Sequence, residues 1–192
     1  MKTGRKIIVY IATSADGYIA RLNGSVDWLN RPHPPGSYGM GAFFRSIDTI
    51  LWGRKTYDES LGLGDPAGTG VFGPKVKNYV FSHHPPKSSP AGLEFVNEPI
   101  GAFAKRLRAE PGKDIWMMGG SELIASFLDE GEIDEFSIHV IPVFIGEGIP
   151  LIAPRHRLVH LAPKSTRRFS DGVVHLNYRV LPGKSKGGRK RK

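Results

Sequence analysis

Three short segments carry residue types suited to phosphate recognition. They are Asp16-Gly17-Tyr18-Ile19-Ala20, Gly53-Arg54-Lys55-Thr56-Tyr57 and Gly119-Gly120-Ser121-Glu122-Leu123-Ile124. Each lies at or just past the end of an apolar, strand-like run, and the last two lead into stretches that read as helical. Carboxyl ends of strands are where an α/β sheet leaves room for a ligand. Glycine lets a backbone approach a phosphate closely, and a helix N-terminus presents free N–H groups to it. Arg54 and Lys55 add cationic donors. Together these features point to a bound dinucleotide with an extra phosphate.

The elements that must position these segments alternate in type. Strands are expected at Lys6–Thr13, Thr49–Trp52, Lys77–Ser82, Leu93–Val96, Asp114–Met118 and Glu135–Phe144. Helices are expected at Met40–Ile47, Lys55–Ser60, Ile100–Ala109 and Ser121–Asp129. Ala15–Asn23 and Leu61–Gly73 read as loops, Gly146–Pro150 as a turn and Leu158–Leu161 as a short extended piece. Arg167–Ser170 and Val173–Leu181 form a closing hairpin through Asp171-Gly172. The pattern predicts an α/β fold with a mixed, mostly parallel sheet and an antiparallel C-terminal edge.

The chain of 192 residues fits one domain over 1–182, and 40% hydrophobic residues suffice for its core. No run of 18 apolar residues suggests a membrane span. Cysteine is absent, which excludes disulfides and thiolate metal sites and fits a cytoplasmic protein. Of the net charge of +9, six positive charges lie in residues 183–192, leaving +3 for the body. That basic tail reads as a disordered, solubilising appendage, with weak contact to nucleic acid as the alternative. His83-His84 reads as a surface turn, not a metal pair, because adjacent side chains diverge and no carboxylate cluster accompanies them.

The ordered motifs resemble the dihydrofolate reductase-like superfamily, with its three-layer αβα fold. They look closest to stand-alone proteins related to the reductase domain of bacterial riboflavin biosynthesis. The resemblance rests on Ser14 to Ala20, Thr49 to Tyr57, Ile115 to Ser121, Ile133 to Phe136 and Pro142 to Gly148. It implies NADPH binding and hydride transfer. Ala12 and Ile19 would line the nicotinamide end. Gly53, Arg54, Lys55 and Thr56 would meet the pyrophosphate and the 2′-phosphate, with Ser82 and His83 near the latter. Gly119 and Gly120 would press backbone against the cofactor, and Ser121, Glu122, Leu123 and Ile124 would open the helix facing the pyrophosphate. Glu122 is expected to turn outward, since a carboxylate repels phosphate. Relatives pair through late strands, which implies a homodimer, and those apolar strands read as a sheet edge that needs covering.

The substrate side departs from the folate reductases of this superfamily, which hold the pterin ring with an acidic side chain on the first helix. The matching place falls near Ser37-Tyr38, so folate reduction is not expected. Trp28, Tyr38 and Phe44 would wall a flat or carbonyl-bearing substrate, for instance the 5-amino-6-(5-phosphoribosylamino)uracil of the riboflavin pathway. Arg31, His33 and Arg45 are candidate phosphate donors. Proton donors are Asp16, Asp27, Tyr38 or water. Asp27 is expected to have a raised pKa in an apolar pocket, and Asp16 either reacts or shapes its Asp-Gly turn. A non-catalytic NADPH-binding protein of the same fold is the alternative.

Overall fold

The computed structural model describes residues 4–32, 34, 36–62, 76–89 and 92–183. His33, most of the Leu61–Gly73 loop and the tail from residue 184 lie outside the described residues.

Among the described residues, ten strands and four α-helices follow one another. They are β1 (Ile7–Ser14), β2 (Tyr18–Ala20), α1 (Met40–Ser46), β3 (Ile47–Gly53), α2 (Arg54–Gly62), β4 (Lys77–Phe81), β5 (Leu93–Val96), α3 (Ile100–Ala109), β6 (Asp114–Gly119), α4 (Ser121–Asp129), β7 (Glu135–Ile141), β8 (Ile149–Pro150), β9 (Leu161–Arg168) and β10 (Val174–Val180). Eight strands form one sheet in the order β5-β4-β3-β6-β1-β7-β10-β9. The first six are parallel, and β10 runs antiparallel to β7 and β9. This is the expected α/β architecture.

The alternation of side chains along each strand creates two cores. Ile7, Val9, Leu51, Ile115 and Met117 pack under Phe103, Ala104 and Leu107 of α3 and Leu123, Ile124 and Phe127 of α4. Tyr10, Ile50, Trp52, Val80 and Trp116 face the other way, toward Phe43 and Phe44 of α1 and Tyr57 of α2. Strands buried on both faces read as unbroken apolar runs, which is why β1, β3 and β6 are visible in the sequence.

Several boundaries differ from expectation. β7 stops at Ile141, before Pro142, which lacks an N–H for the ladder, and Phe144 beyond it is 81% exposed. Within the expected loop, Tyr18–Ala20 pairs with Ile149–Pro150 as a separate two-stranded sheet. The first arm of the closing hairpin is much longer than expected, spanning Leu161–Arg168 with a register shift opposite Asn177/Tyr178. The sheet edge is therefore β9, whose residues are almost all exposed, while β7 and β10 are interior.

Candidate active site

β3 and β6 end side by side, with Trp52 opposite Gly119. Gly53 and Gly120 are in backbone contact there. A Cβ on Gly53 would lie 3.0 Å from the Gly120 nitrogen and 3.3 Å from the Gly119 oxygen. Gly119 has φ +119, a conformation that L side chains rarely adopt, and the Gly119–Gly120 peptide is cis. A Cβ on Gly120 would meet Thr56 Oγ1 at 3.0 Å, so Thr56 borders the same contact.

α4 starts immediately after this contact. Its first backbone bond runs from Ile124 N–H to Gly120 O (3.0 Å), so the amides of Ser121, Glu122 and Leu123 precede the helical ladder. Gly120 supplies no side-chain cap. Ser121 Oγ is buried and has no hydrogen-bond partner among the described residues. Glu122 turns away to solvent and pairs with Arg155 at 2.7 Å, as its charge requires. Ile124, by contrast, is fully buried in the core.

A cavity of about 400 Å³ opens beside these groups, lined by Gly53, Arg54, Ser82, His83, Glu122 and Leu123 among others. Arg54 lies over the Phe95 ring at 5.4 Å and pairs with Asp58 one helical turn on, at 2.8 Å. Both partners are exposed, so the pair is weak and leaves the guanidinium available to a phosphate. Lys55 is exposed beside it and makes no ion pair among the described residues. Glycines without side chains, free amides, an unpaired hydroxyl and two cations suit the phosphates of a dinucleotide.

The other half of the site lies across β1. Ala12 stands opposite His139 of β7, which in turn stands opposite His175 of β10. The two imidazoles stack with centroids 4.3 Å apart. His139 is 4% exposed, and burial first, then His175, pushes it down to about 4, so the ring is neutral at pH 7. It hydrogen-bonds the Tyr38 backbone, and its Nε2 has no partner among the described residues. Tyr38 and Phe169 border this pair, with ring centroids 5.8 and 6.3 Å from His139. Tyr38 has φ +58, unusual for a bulky residue. Its hydroxyl donates to Asp171 Oδ2 at 2.5 Å, and Arg31 donates to the Asp171 carbonyl at 2.8 Å. Burial and then Asp171 push the Tyr38 phenol up to about 12, so it keeps its proton at neutral pH.

Three expectations need correction. Asp27 is exposed and bonded to Arg21 at 2.6 Å, and that bond holds its carboxyl below the usual range. A buried acid of raised pKa is therefore not present at Asp27. Asp16 accepts from the Ile145 and Gly146 amides at 3.1 and 2.8 Å, and bonds from Ser14 first, then Gly146 and Ile145, lower its pKa. Its place is that of a loop anchor. Phe44 packs on Trp116 at 5.5 Å, within the second core. Trp28 is half-buried in a 3₁₀ turn over Asp27–Leu29, and Ile19 is half-buried in β2.

His139, His175 and Phe169 carry no sequence signal that marks them as site residues. A lone histidine in an apolar strand reads as a core residue, and only strand register joins His139 to His175. The Asp-Gly turn at Asp171 signalled a hairpin but gave no sign of the tyrosine it holds.

Comparison with known proteins agrees with this architecture. Residues 100–175 match the family described as RibD C-terminal domain. The uncharacterized protein YwjB of Bacillus subtilis strain 168 is 41% identical over 175 residues, covering 91% of this chain and 97% of YwjB. A putative riboflavin biosynthesis protein from Shewanella sp. PV-4 superposes with a TM-score of 0.80 at 26% identity, over 92% of this chain and 99% of that one. Dihydrofolate reductase from Enterococcus faecalis, complexed with NADP(H), shares the fold alone, with a TM-score of 0.63 at 12% identity over 92% and 97% of the two chains. The chain thus belongs to the family of the RibD C-terminal domain, and it has the dihydrofolate reductase-like fold.

Proposed function

We propose that the protein is an NADPH-dependent reductase of a small heterocyclic or sugar-linked substrate. The observation that carries this reading is the bare backbone contact of Gly53 with Gly119–Gly120, at the free N-terminus of α4 and beside a cavity that Arg54 lines. The amides of Ser121, Glu122 and Leu123, with the Ser121 hydroxyl, hold the pyrophosphate. Arg54, Lys55, Ser82 and His83 receive the 2′-phosphate, for which a guanidinium fork is well shaped. Ala12 and Ile19 border the nicotinamide end. When bound, the reduced nicotinamide supplies the hydride for a C=N or C=O carbon, and the protein supplies orientation and excludes water. Tyr38 and Trp28 wall the substrate. His139 offers a neutral ring nitrogen at the rung of Ala12, and Tyr38 holds a proton at its hydroxyl.

Titration of NADPH and NADH by nicotinamide fluorescence tests the reading. NADPH is expected to bind more tightly than NADH. Arg54→Ala is expected to weaken NADPH about tenfold, the scale of one charge-assisted hydrogen bond, while leaving NADH unchanged. A chain that ignores both at about millimolar concentration would reject the proposal. The outward ion pair of Asp27 favours a second reading, cofactor binding without turnover. Stopped-flow NADPH oxidation against pterins, pyrimidines and small carbonyls separates the two.

A further inference from the structure

The sheet face next to α1 holds a second concavity, of about 290 Å³. Its floor is one rung of three adjacent strands, Tyr10 of β1, Ser137 of β7 and Asn177 of β10. That rung lies two residues toward the amino ends from Ala12 and His139, a displacement of about 7 Å along the strands. The concavity shares no lining residue with the cavity beside Gly53. It is separate from the phosphate cavity but shares Tyr38 with the substrate wall proposed above, so its reading rests on that placement of the substrate end.

Its chemistry is uneven in an informative way. Tyr38, Phe43 and Phe169 make aromatic walls. Tyr10 is 8% exposed, and among the described residues its buried hydroxyl has no partner, nor has Asn177 Oδ1. Buried polar atoms are rarely left unpaired, and an amide oxygen asks for a donor. Ser137 is already bonded to His175 at 2.7 Å. The negative charge of Glu135 is more than offset, because Lys6 and Lys164 bind its two oxygens at 2.9 and 2.6 Å. Arg167 lines the concavity, lies over the Phe169 ring at 4.7 Å and makes no ion pair among the described residues. The site therefore offers a flat slot, a cation at one place and unpaired oxygens at another.

Register separates those two ends. Arg167 stands opposite His175, two residues along β10 from Asn177. The offset is about 7 Å along the strand, close to the length of a para-substituted benzene ring. We propose that this concavity binds a small aromatic acid bearing a hydroxyl or amino group opposite its carboxylate. The ring lies between the aromatic walls, the carboxylate pairs with Arg167, and the hydroxyl or amino group donates to Asn177 Oδ1.

Calorimetric titration of the full chain with 4-hydroxybenzoate, benzoate and phenol tests this. 4-Hydroxybenzoate is expected to bind more tightly than either simpler compound, each of which lacks one anchor. Arg167→Gln is expected to weaken 4-hydroxybenzoate about tenfold and leave phenol unchanged. Asn177→Leu is expected to weaken 4-hydroxybenzoate and leave benzoate unchanged. No binding of 4-hydroxybenzoate at about 5 mM, equal affinity for all three compounds, or indifference to Arg167→Gln each overturns the proposal. Arg167 is exposed, so its variant folds and remains decisive even if Asn177→Leu does not. NADPH affinity is expected to be unchanged in Arg167→Gln. A chain that binds the acid but ignores NADPH refutes the reductase reading and leaves this site standing.

Discussion

Replacing Gly53 by alanine would place a methyl group 3.0 Å from a backbone nitrogen and 3.3 Å from a backbone oxygen, neither of which can rotate away. The ends of β3 and β6 would have to part. A loss of about 1–3 kcal/mol in stability is expected, as for other overpacked sites, together with at least about tenfold weaker NADPH binding. Gly120→Ala is the control. Its methyl group would meet only Thr56 Oγ1, a side-chain atom that can turn, so it should cost less stability than Gly53→Ala. Urea unfolding of the two variants compares them directly, and an equal or reversed order would show that the strand-end contact is not rigid. The same physics explains why these residues could be read in the sequence. A position that admits no side chain must be glycine, and glycines at strand ends stand out. His139 gave no comparable sign, because its role depends on neighbours in β1 and β10 that register alone supplies.

Asp171 ties the loop before α1 to the β9–β10 hairpin, beside the packing of Tyr38 on Phe169. Asp171 accepts from the Tyr38 hydroxyl, receives Arg31 and shapes its own turn by accepting from the Val173 amide. Gly172, at φ +89, completes that turn. Asp171→Asn keeps the shape but removes the charge that Arg31 and Tyr38 share. Backbone amides around Tyr38 and Gly39 are then expected to exchange several-fold faster with deuterium, while those of β1 and β6 stay protected. Unchanged exchange in the variant would mean that packing on Phe169, not Asp171, holds the loop. Legibility at this scale follows burial. β1, β3, β6, α3 and α4 were visible because their apolar periodicity is imposed by two cores. β9 was missed over most of its length because an exposed edge carrying Lys164, Arg167 and Arg168 has no hydrophobic alternation to read. β2 and β8, three and two residues long, are too short for any period.

Across the whole molecule, the placement of charge bears on assembly and on acid stability. The exposed edge strand carries lysine and arginine, which discourages edge-to-edge pairing. The edge-based argument for a homodimer therefore falls away, and the family resemblance is what supports that proposal. Sedimentation would decide it, with a single monomeric species at high concentration as the rejecting result. Acid stability has a sharper source. His139 is held neutral by burial, with its pKa lowered from 6.5 to about 4, and His175 is lowered as well, by burial and by Arg167. Between those two values the unfolded chain binds a proton at His139 that the folded chain refuses. Stability must then rise with pH across this window and fall as pH drops from 6.5 toward 4. From pH 7 to pH 5 the His139 contribution to this loss is about 2 kcal/mol. His139→Gln cannot titrate, so its stability should decline less over the same interval, even if it starts lower at pH 7. Urea unfolding of both proteins at pH 7 and pH 5 measures the two slopes. Parallel declines would mean that the buried imidazole accepts its proton without penalty, and that the stacked histidines are open to water.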